Sequence, residues 1–256
     1  MAAHRILILG GTTEARQLAG LLAGDPRYDA TLSLAGRTAE PKALPLPVRS
    51  GGFGGADGLA DYLTRENIDL LVDATHPFAV RISANAAEAA ARAGTPLFAL
   101  RRPGWEERAG DHWTRVPDLE AAVDALGVIP RRVFLAIGRQ EAHVFNRTPH
   151  HAYLVRSVDP VDPPLTVPDA QYILSIGPFD EADERALLTD KNIDVVVTKN
   201  SGGEATYAKI AAARALGIEV VMVERRHPAD VPAVATAEEA LDRIAHLLSP
   251  AIKRGV

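Results

Sequence analysis

The chain has 256 residues, 28 Lys and Arg against 33 Asp and Glu, a formal net charge of −5 and no cysteine. This composition excludes disulfide-stapled scaffolds, thiolate metal sites and thiol nucleophiles. A net negative chain also lacks the broad positive footprint that nucleic acid requires. The apolar run near the start, Ile6–Leu9, is too short for a signal peptide or a membrane span, and no later segment approaches spanning length. The expectation is a soluble cytoplasmic protein with no nucleic-acid or membrane partner, either a monomer or a weak oligomer. Hydrophobic residues make up 47% of the chain and aromatics only 5%, so the core must be aliphatic and rich in alanine.

Short apolar runs alternate with helical patterns. Ile6–Leu9 reads as a strand that ends in Gly10-Gly11, and Ala15, Leu18, Ala19 and Leu22 then recur at helix spacing. Thr31–Leu34 predicts a second strand, Val48 marks a third and Leu70–Val72 a fourth. Pro77 suits the first position of a helix whose stripe is Phe78, Ile82, Ala86, Ala89 and Ala93. Gly94 stops that helix, and Leu97–Leu100 is a further strand. The alternation predicts α/β architecture with parallel sheets covered on both faces.

The pattern then repeats. Asn67-Ile68-Asp69 recurs as Asn192-Ile193-Asp194, an offset of 125, and residues 50–72 align without gaps to 175–197. Arg101-Arg102 and Arg225-Arg226 follow corresponding strands, each with a proline close behind, Pro103 and Pro228. Each half is expected to close with its own helix. Asp118 would cap the first, and Thr236 with Glu239 would form a capping box for the second. The reading is an internal duplication into two Rossmann-like domains, 1–130 and 131–256, with a ligand cleft between them. The proline-rich stretch Asp159–Pro164, with Pro168 after it, has no counterpart in the first half and reads as a stiff surface loop.

Five places carry candidate chemistry. Gly10, Gly11, Thr12, Thr13 and Glu14 lie between the first strand and helix, where glycines and a helix N-terminus suit a pyrophosphate. Thr12 stands where the usual fingerprint has its central glycine. Gly36 and Arg37 follow the second strand, and an Arg there suits the 2′-phosphate of NADP. Gly51–Gly55, with Gly52 and Phe53 at its centre, is either a backbone surface beside the cofactor or a strained turn. In Asp73–Phe78, Thr75 or His76 would cap a helix starting at Pro77, and His76 could instead face the cofactor. Lys199, Asn200, Ser201, Gly202 and Gly203 form a second anion cradle, with Arg139 on a neighbouring edge. The adjacent His150 and His151 read as solvated, and the eight histidines show no metal-binding pattern.

These strings resemble one family, the precorrin-6A reductases of cobalamin (corrin) biosynthesis. The resembling segments are Gly10–Ala15, Ser33–Arg37, Gly51–Gly55, Asp73–Ala79, Ile137–Arg139 and Thr198–Gly203. The resemblance implies an NADPH-dependent oxidoreductase that converts precorrin-6A to its dihydro product, precorrin-6B, by hydride transfer to the macrocycle. It places the cofactor on the first domain and the tetrapyrrole polycarboxylate in the cleft. Arg139, Lys199 and Arg225 become candidate carboxylate binders, and His76 and Lys199 are the nominated proton donors. Two other readings are an NADP-dependent reductase of another conjugated substrate and a non-enzymatic dinucleotide-sensing module.

Overall fold

The structure is a computed structural model that describes residues 3–35, 44–225 and 231–249. The chain forms two compact units, and the path between them differs from the expected division near residue 130. One unit holds residues 1–102 together with 227–256, and the other holds 103–226.

The first unit contains β1 (His4–Leu9), α1 (Thr13–Leu22), β2 (Tyr28–Leu34), β3 (Val48–Ser50), α2 (Ala56–Arg65), β4 (Leu70–Asp73), α3 (Val80–Ala93) and β5 (Leu97–Leu100). The chain then enters the second unit as β6 (Trp113–Val116), α4 (Leu119–Ala125), β7 (Arg132–Ala136), β8 (Ala152–Ser157), β9 (Ala170–Leu174), α5 (Glu181–Asp190), β10 (Val195–Lys199), α6 (Ala208–Leu216) and β11 (Glu219–Val223). It returns to the first unit as β12 (Ala233–Val234) and α7 (Ala237–Leu248).

Both sheets are parallel, with orders β3-β2-β1-β4-β5-β12 and β9-β8-β7-β10-β11-β6. Each is the doubly wound dinucleotide-fold order with its sixth strand supplied from the other half of the sequence. The expectation that each half keeps its closing helix is therefore corrected. β6 and α4 belong to the first half in sequence but pack in the second unit, against β11. β12 and α7 belong to the second half in sequence, but β12 pairs with β5 and α7 packs on α1. The caps themselves form as expected. Asp118 accepts from Ala121 N at 3.0 Å. Thr236 accepts from Glu239 N at 3.2 Å, and the Glu239 carboxylate accepts from Ala235 N at 2.7 Å.

Alternation along β1 separates two apolar layers. Ile6 and Ile8 join Leu18 and Leu22 of α1 and Ile244 of α7, while Leu7 and Leu9 join Leu59 and Leu63 of α2 and Ala86, Ala89 and Ala90 of α3. In the second unit Phe134, Leu154, Val196, Val220 and Met222 build the equivalent core with Ile210 and Leu188.

The repeated Asn-Ile-Asp has a local cause. Asn67 and Asn192 both take left-handed backbone, φ 49° and 50°, at the ends of α2 and α5. The following Ile68 and Ile193 N–H groups each bond back into the helix at 2.9 Å. Asp69 and Asp194 then accept from Arg5 N and Arg132 N, at 2.8 and 2.7 Å, which ties each turn to the first or central strand of its sheet. Asparagine tolerates the left-handed region better than other side chains, and the carboxylate bridges two strands.

Candidate functional site

In the first unit β1 is the central strand at which the winding reverses, with β2 on one side and β4 on the other. Ligands of such sheets bind at the carboxyl ends of the strands flanking that point. Thr12 spans it. Its Oγ1 accepts from Ala15 N at 3.1 Å, capping α1, and donates to the Ala74 carbonyl beyond β4 at 2.9 Å. This dual bond is the reason a threonine stands where the dinucleotide fingerprint has glycine. A Cβ at Gly10 would meet Leu32 Cδ1 at 2.7 Å, so any side chain there requires the buried Leu32 to shift. Thr13 begins α1, and Glu14 in its first turn accepts from Arg102 Nη1 at 2.6 Å.

A cavity of about 640 Å³ opens at this edge, within the range of small-molecule sites. Leu9, Gly10, Ser33 and Ala35 line one wall, and Gly51–Gly55 with Leu59 line another. Thr75, Arg81, Ile82 and Asn85 complete it. Among the described residues that line it, Arg81 alone is charged. Gly51, Gly54 and Gly55 have φ of 107°, 84° and 98°, which favours glycine. A Cβ on any of these three, or on Gly52, would meet nothing within 4 Å. The two readings of this loop are thus compatible: the turn needs left-handed backbone, and its bare backbone lines open space. That arrangement fits a dinucleotide, which needs close approach of backbone N–H groups to polar and anionic ligand atoms.

Beyond β4, Asp73 is buried and its Oδ1 accepts from the Thr75 hydroxyl at 2.6 Å and from Thr75 N at 3.2 Å. Arg101 Nη2 lies 3.5 Å from Asp73 Oδ2. The helix expected from Pro77 starts instead at Val80. Pro77 and Phe78 form a turn in which Ala79 N donates to the His76 carbonyl at 2.7 Å, and His76 Nδ1 accepts from Phe78 N at 3.3 Å. Ala79, with ψ of 47°, interrupts helical geometry and delays the helix. An accepting Nδ1 leaves Nε2 as the protonated nitrogen of neutral His76. Gly36 and Arg37 lie outside the described residues.

At the corresponding edge of the second unit Lys199 Nζ pairs with the Glu141 carboxylate, and Arg139 Nη1 lies 3.7 Å from Asp159 Oδ2. Asn200 and Arg225 have internal roles. The buried Asn200 accepts from Trp105 N at 2.7 Å and donates to Trp105 O at 3.1 Å. Arg225 donates to Asn200 O at 2.7 Å and to Pro103 O at 3.1 Å. Gly202 is fixed by this packing, since a Cβ would meet Pro103 O at 2.0 Å. Gly203 accepts from the Trp105 indole at 2.9 Å, and Ser201 is buried beside them. Half of the expected cradle therefore clasps the segment at residues 103–105. Behind it, Arg156 and Glu184 form a buried bidentate pair, and Lys209 is fully enclosed. Lys209 Nζ donates to Thr206 O at 2.6 Å and lies 4.6 Å from the Trp105 ring centre. Burial, reinforced by the Arg156 charge, lowers its pKa to about 7.

Residues 5–245 match the family model described as "Precorrin-6x reductase CbiJ/CobK". The chain belongs to this family. Among its relatives, a protein from Sinorhizobium sp. named precorrin-6A reductase is 65% identical over 251 residues, covering 98% of this chain and 96% of that one. A solved structure, "CobK precorrin-6A reductase", aligns with a TM-score of 0.90 at 48% identity, over 99% of this chain and 100% of that one. A cobalt-precorrin-6A reductase from Priestia megaterium is 29% identical over 232 residues, 86% of this chain and 90% of that one.

For a member of the CbiJ/CobK family, the sequence strings locate the strand ends correctly but omit the side chains that shape them. Arg49, Arg81, Asn85, Arg102 and Trp105 were not legible as site residues. The four-residue spacing of Arg81 and Asn85 on one face of α3 was the available signal. Of the paired histidines, His150 is exposed as expected and His151 is corrected. His151 is 1% exposed, and its Nδ1 accepts from Arg131 N at 3.2 Å. No helix among the described residues is long and apolar enough to cross a membrane.

Proposed function

We propose that this chain reduces precorrin-6A to precorrin-6B with NADPH, holding the cofactor on the first unit and substrate carboxylates on the second. The observation that carries the cofactor reading is the cavity of about 640 Å³ walled by glycine backbone at the winding reversal of the first sheet. Membership of the reductase family supports the substrate. When bound, NADPH supplies the hydride for a conjugated carbon of the macrocycle.

The residues that would hold the cofactor are Gly10, Gly11, Thr12 and Thr13 at the start of α1, Gly52 and Phe53 in the glycine loop, and Thr75, His76 and Pro77 beyond β4. Arg37 would read the 2′-phosphate. Thr12 fixes the α1 N-terminus against the end of β4, so the remaining first-turn backbone donors would meet a pyrophosphate without reorganisation. Arg102 pairs with Glu14 and offsets the negative charge in the first turn of α1 that would repel it. In the second unit Lys199 and Arg139 would bind substrate carboxylates in place of Glu141 and Asp159. Ser201, Gly202 and Gly203 would add polar contacts, with Asn200 and Arg225 bracing them. The nominated proton donors are Lys199 and His76, the latter acting only as the imidazolium, whose protonated Nδ1 gives up the bond from Phe78 N.

The metal-free macrocycle is favoured as substrate, because the relative named for it is 65% identical and the one named for the cobalt form 29%. A cytoplasmic location goes with this reading. The test is an anaerobic assay that follows nicotinamide absorbance and product mass. NADPH oxidation should require precorrin-6A and yield a product heavier by two hydrogens, and the cobalt substrate should turn over more slowly. No oxidation with either macrocycle overturns the proposal.

A further inference from the structure

Arg49 on β3 is not among the residues that line the cavity, yet it touches the loop that does. Its Nη1 donates to the Gly51 carbonyl at 2.6 Å and its Nη2 to the Gly52 carbonyl at 2.7 Å. Nη1 also lies 3.4 Å from Ser33 Oγ at the end of β2. The guanidinium sits 3.7 Å above the Phe53 ring and 5.4 Å from that of Tyr62, and these two rings meet edge to face at 5.2 Å.

A loop of four glycines around one phenylalanine loses much conformational entropy on ordering. Its glycines carry no side chains to hold it, and space is open around four of their Cβ positions. Arg49 fixes two successive peptide planes. Both peptides are trans, so a carbonyl turned toward Arg49 turns the N–H of the same peptide the opposite way. The N–H groups of Gly52 and Phe53 are thereby aimed away from the guanidinium. A bidentate arginine suits this role because its fork holds two acceptors in one plane, which a lysine ammonium does not.

We propose that Arg49 is a positioning residue for the dinucleotide: it orients the Gly51–Gly55 backbone and touches no ligand itself. This rests on the NADPH reading of the cavity. A backbone-oriented loop recognises the part common to both nucleotides, so loss of Arg49 weakens NADPH and NADH by the same factor. A direct 2′-phosphate ligand would weaken NADPH alone.

The experiment measures Kd for NADPH and NADH by fluorescence titration on wild type, Arg49→Lys and Arg49→Gln, and KM and kcat with precorrin-6A. We expect both Kd values to rise together by about tenfold in Arg49→Gln and by less in Arg49→Lys, with kcat at saturating NADPH within about twofold of wild type. Unchanged Kd values, or a loss confined to NADPH, overturn the proposal for Arg49. Should the Arg49 variants not fold, Tyr62→Leu removes one ring from beside the guanidinium and leaves its carbonyl bonds. It should raise both Kd values together by about two- to threefold, and an unchanged Kd there is also a refutation. A wild type that binds neither nucleotide sinks the dinucleotide reading itself, an outcome distinct from failure of the Arg49 variants.

Discussion

Arg102 and Glu14 are joined by a 2.6 Å ion pair with side chains only 15% and 16% exposed. Glu14 lies in the first turn of α1, where a carboxylate favours the helix dipole but opposes a bound phosphate. Arg102 cancels that opposition. Arg102→Met should therefore weaken NADPH binding by about tenfold, on the order of 1.4 kcal/mol. Adding Glu14→Gln should recover most of the loss. Titration of both variants checks this, and a double variant no better than the single one refutes it.

Arg37, unlike Arg49, is predicted to discriminate between the two nucleotides. Arg37→Ala should raise the Kd for NADPH by at least about tenfold while leaving NADH nearly unchanged. Equal loss for both nucleotides would show that it does not read the 2′-phosphate.

Thr12 links two loops through one hydroxyl. Thr12→Val keeps the shape and removes both bonds, at a cost of about 1–2 kcal/mol in stability. Thr12→Ser should recover most of it. Urea midpoints read the difference, and a Thr12→Val midpoint equal to wild type would remove the cap from the account.

His151 predicts acid sensitivity. Burial, with the neighbouring His150 charge, holds its pKa below the ordinary 6.5. The folded state therefore binds fewer protons than the unfolded state near and below pH 6.5, and stability falls as pH drops through that value. The stabilisation is complete above it. In urea titrations His151→Gln should flatten the decline between about pH 7 and pH 5. Parallel declines in variant and wild type would exclude His151 as its source.

Lys209 predicts a slope on the alkaline side. Its folded pKa of about 7 lies below the ordinary 10.5. The unfolded state binds the extra proton between those values, so this group adds stability as pH rises from about 7 and reaches its full effect above 10.5. Arg156 opposes its charge and Glu184 supports it. Lys209→Met should remove this slope, measured as the urea midpoint at pH 7 and pH 9. An unchanged slope would show that Lys209 stays charged in the fold.

The sequence by itself determined the first five strands, the parallel α/β class, the duplication and the family, while β6, β8, β9 and β12 went unread. Those features are written in local periodicity and in strings such as Asn67-Ile68-Asp69, whose repeated turn and carboxylate bridge reappear at Asn192–Asp194. It also located the glycine edges, because glycine signals backbone need directly. Only the tertiary structure decided where the chain divides. β6 and β12 are short edge strands, and nothing in four or two residues says which sheet they complete. Nor could sequence assign partners to polar side chains. Asn200 and Arg225 look like ligand groups in a cradle, yet they hold Pro103 and Trp105 about one hundred positions away. Arg49 looks like an ordinary surface arginine until the fold sets it over Phe53. A side chain's chemistry is local, but its partner is chosen by packing between distant segments, and that choice is made only in the folded molecule.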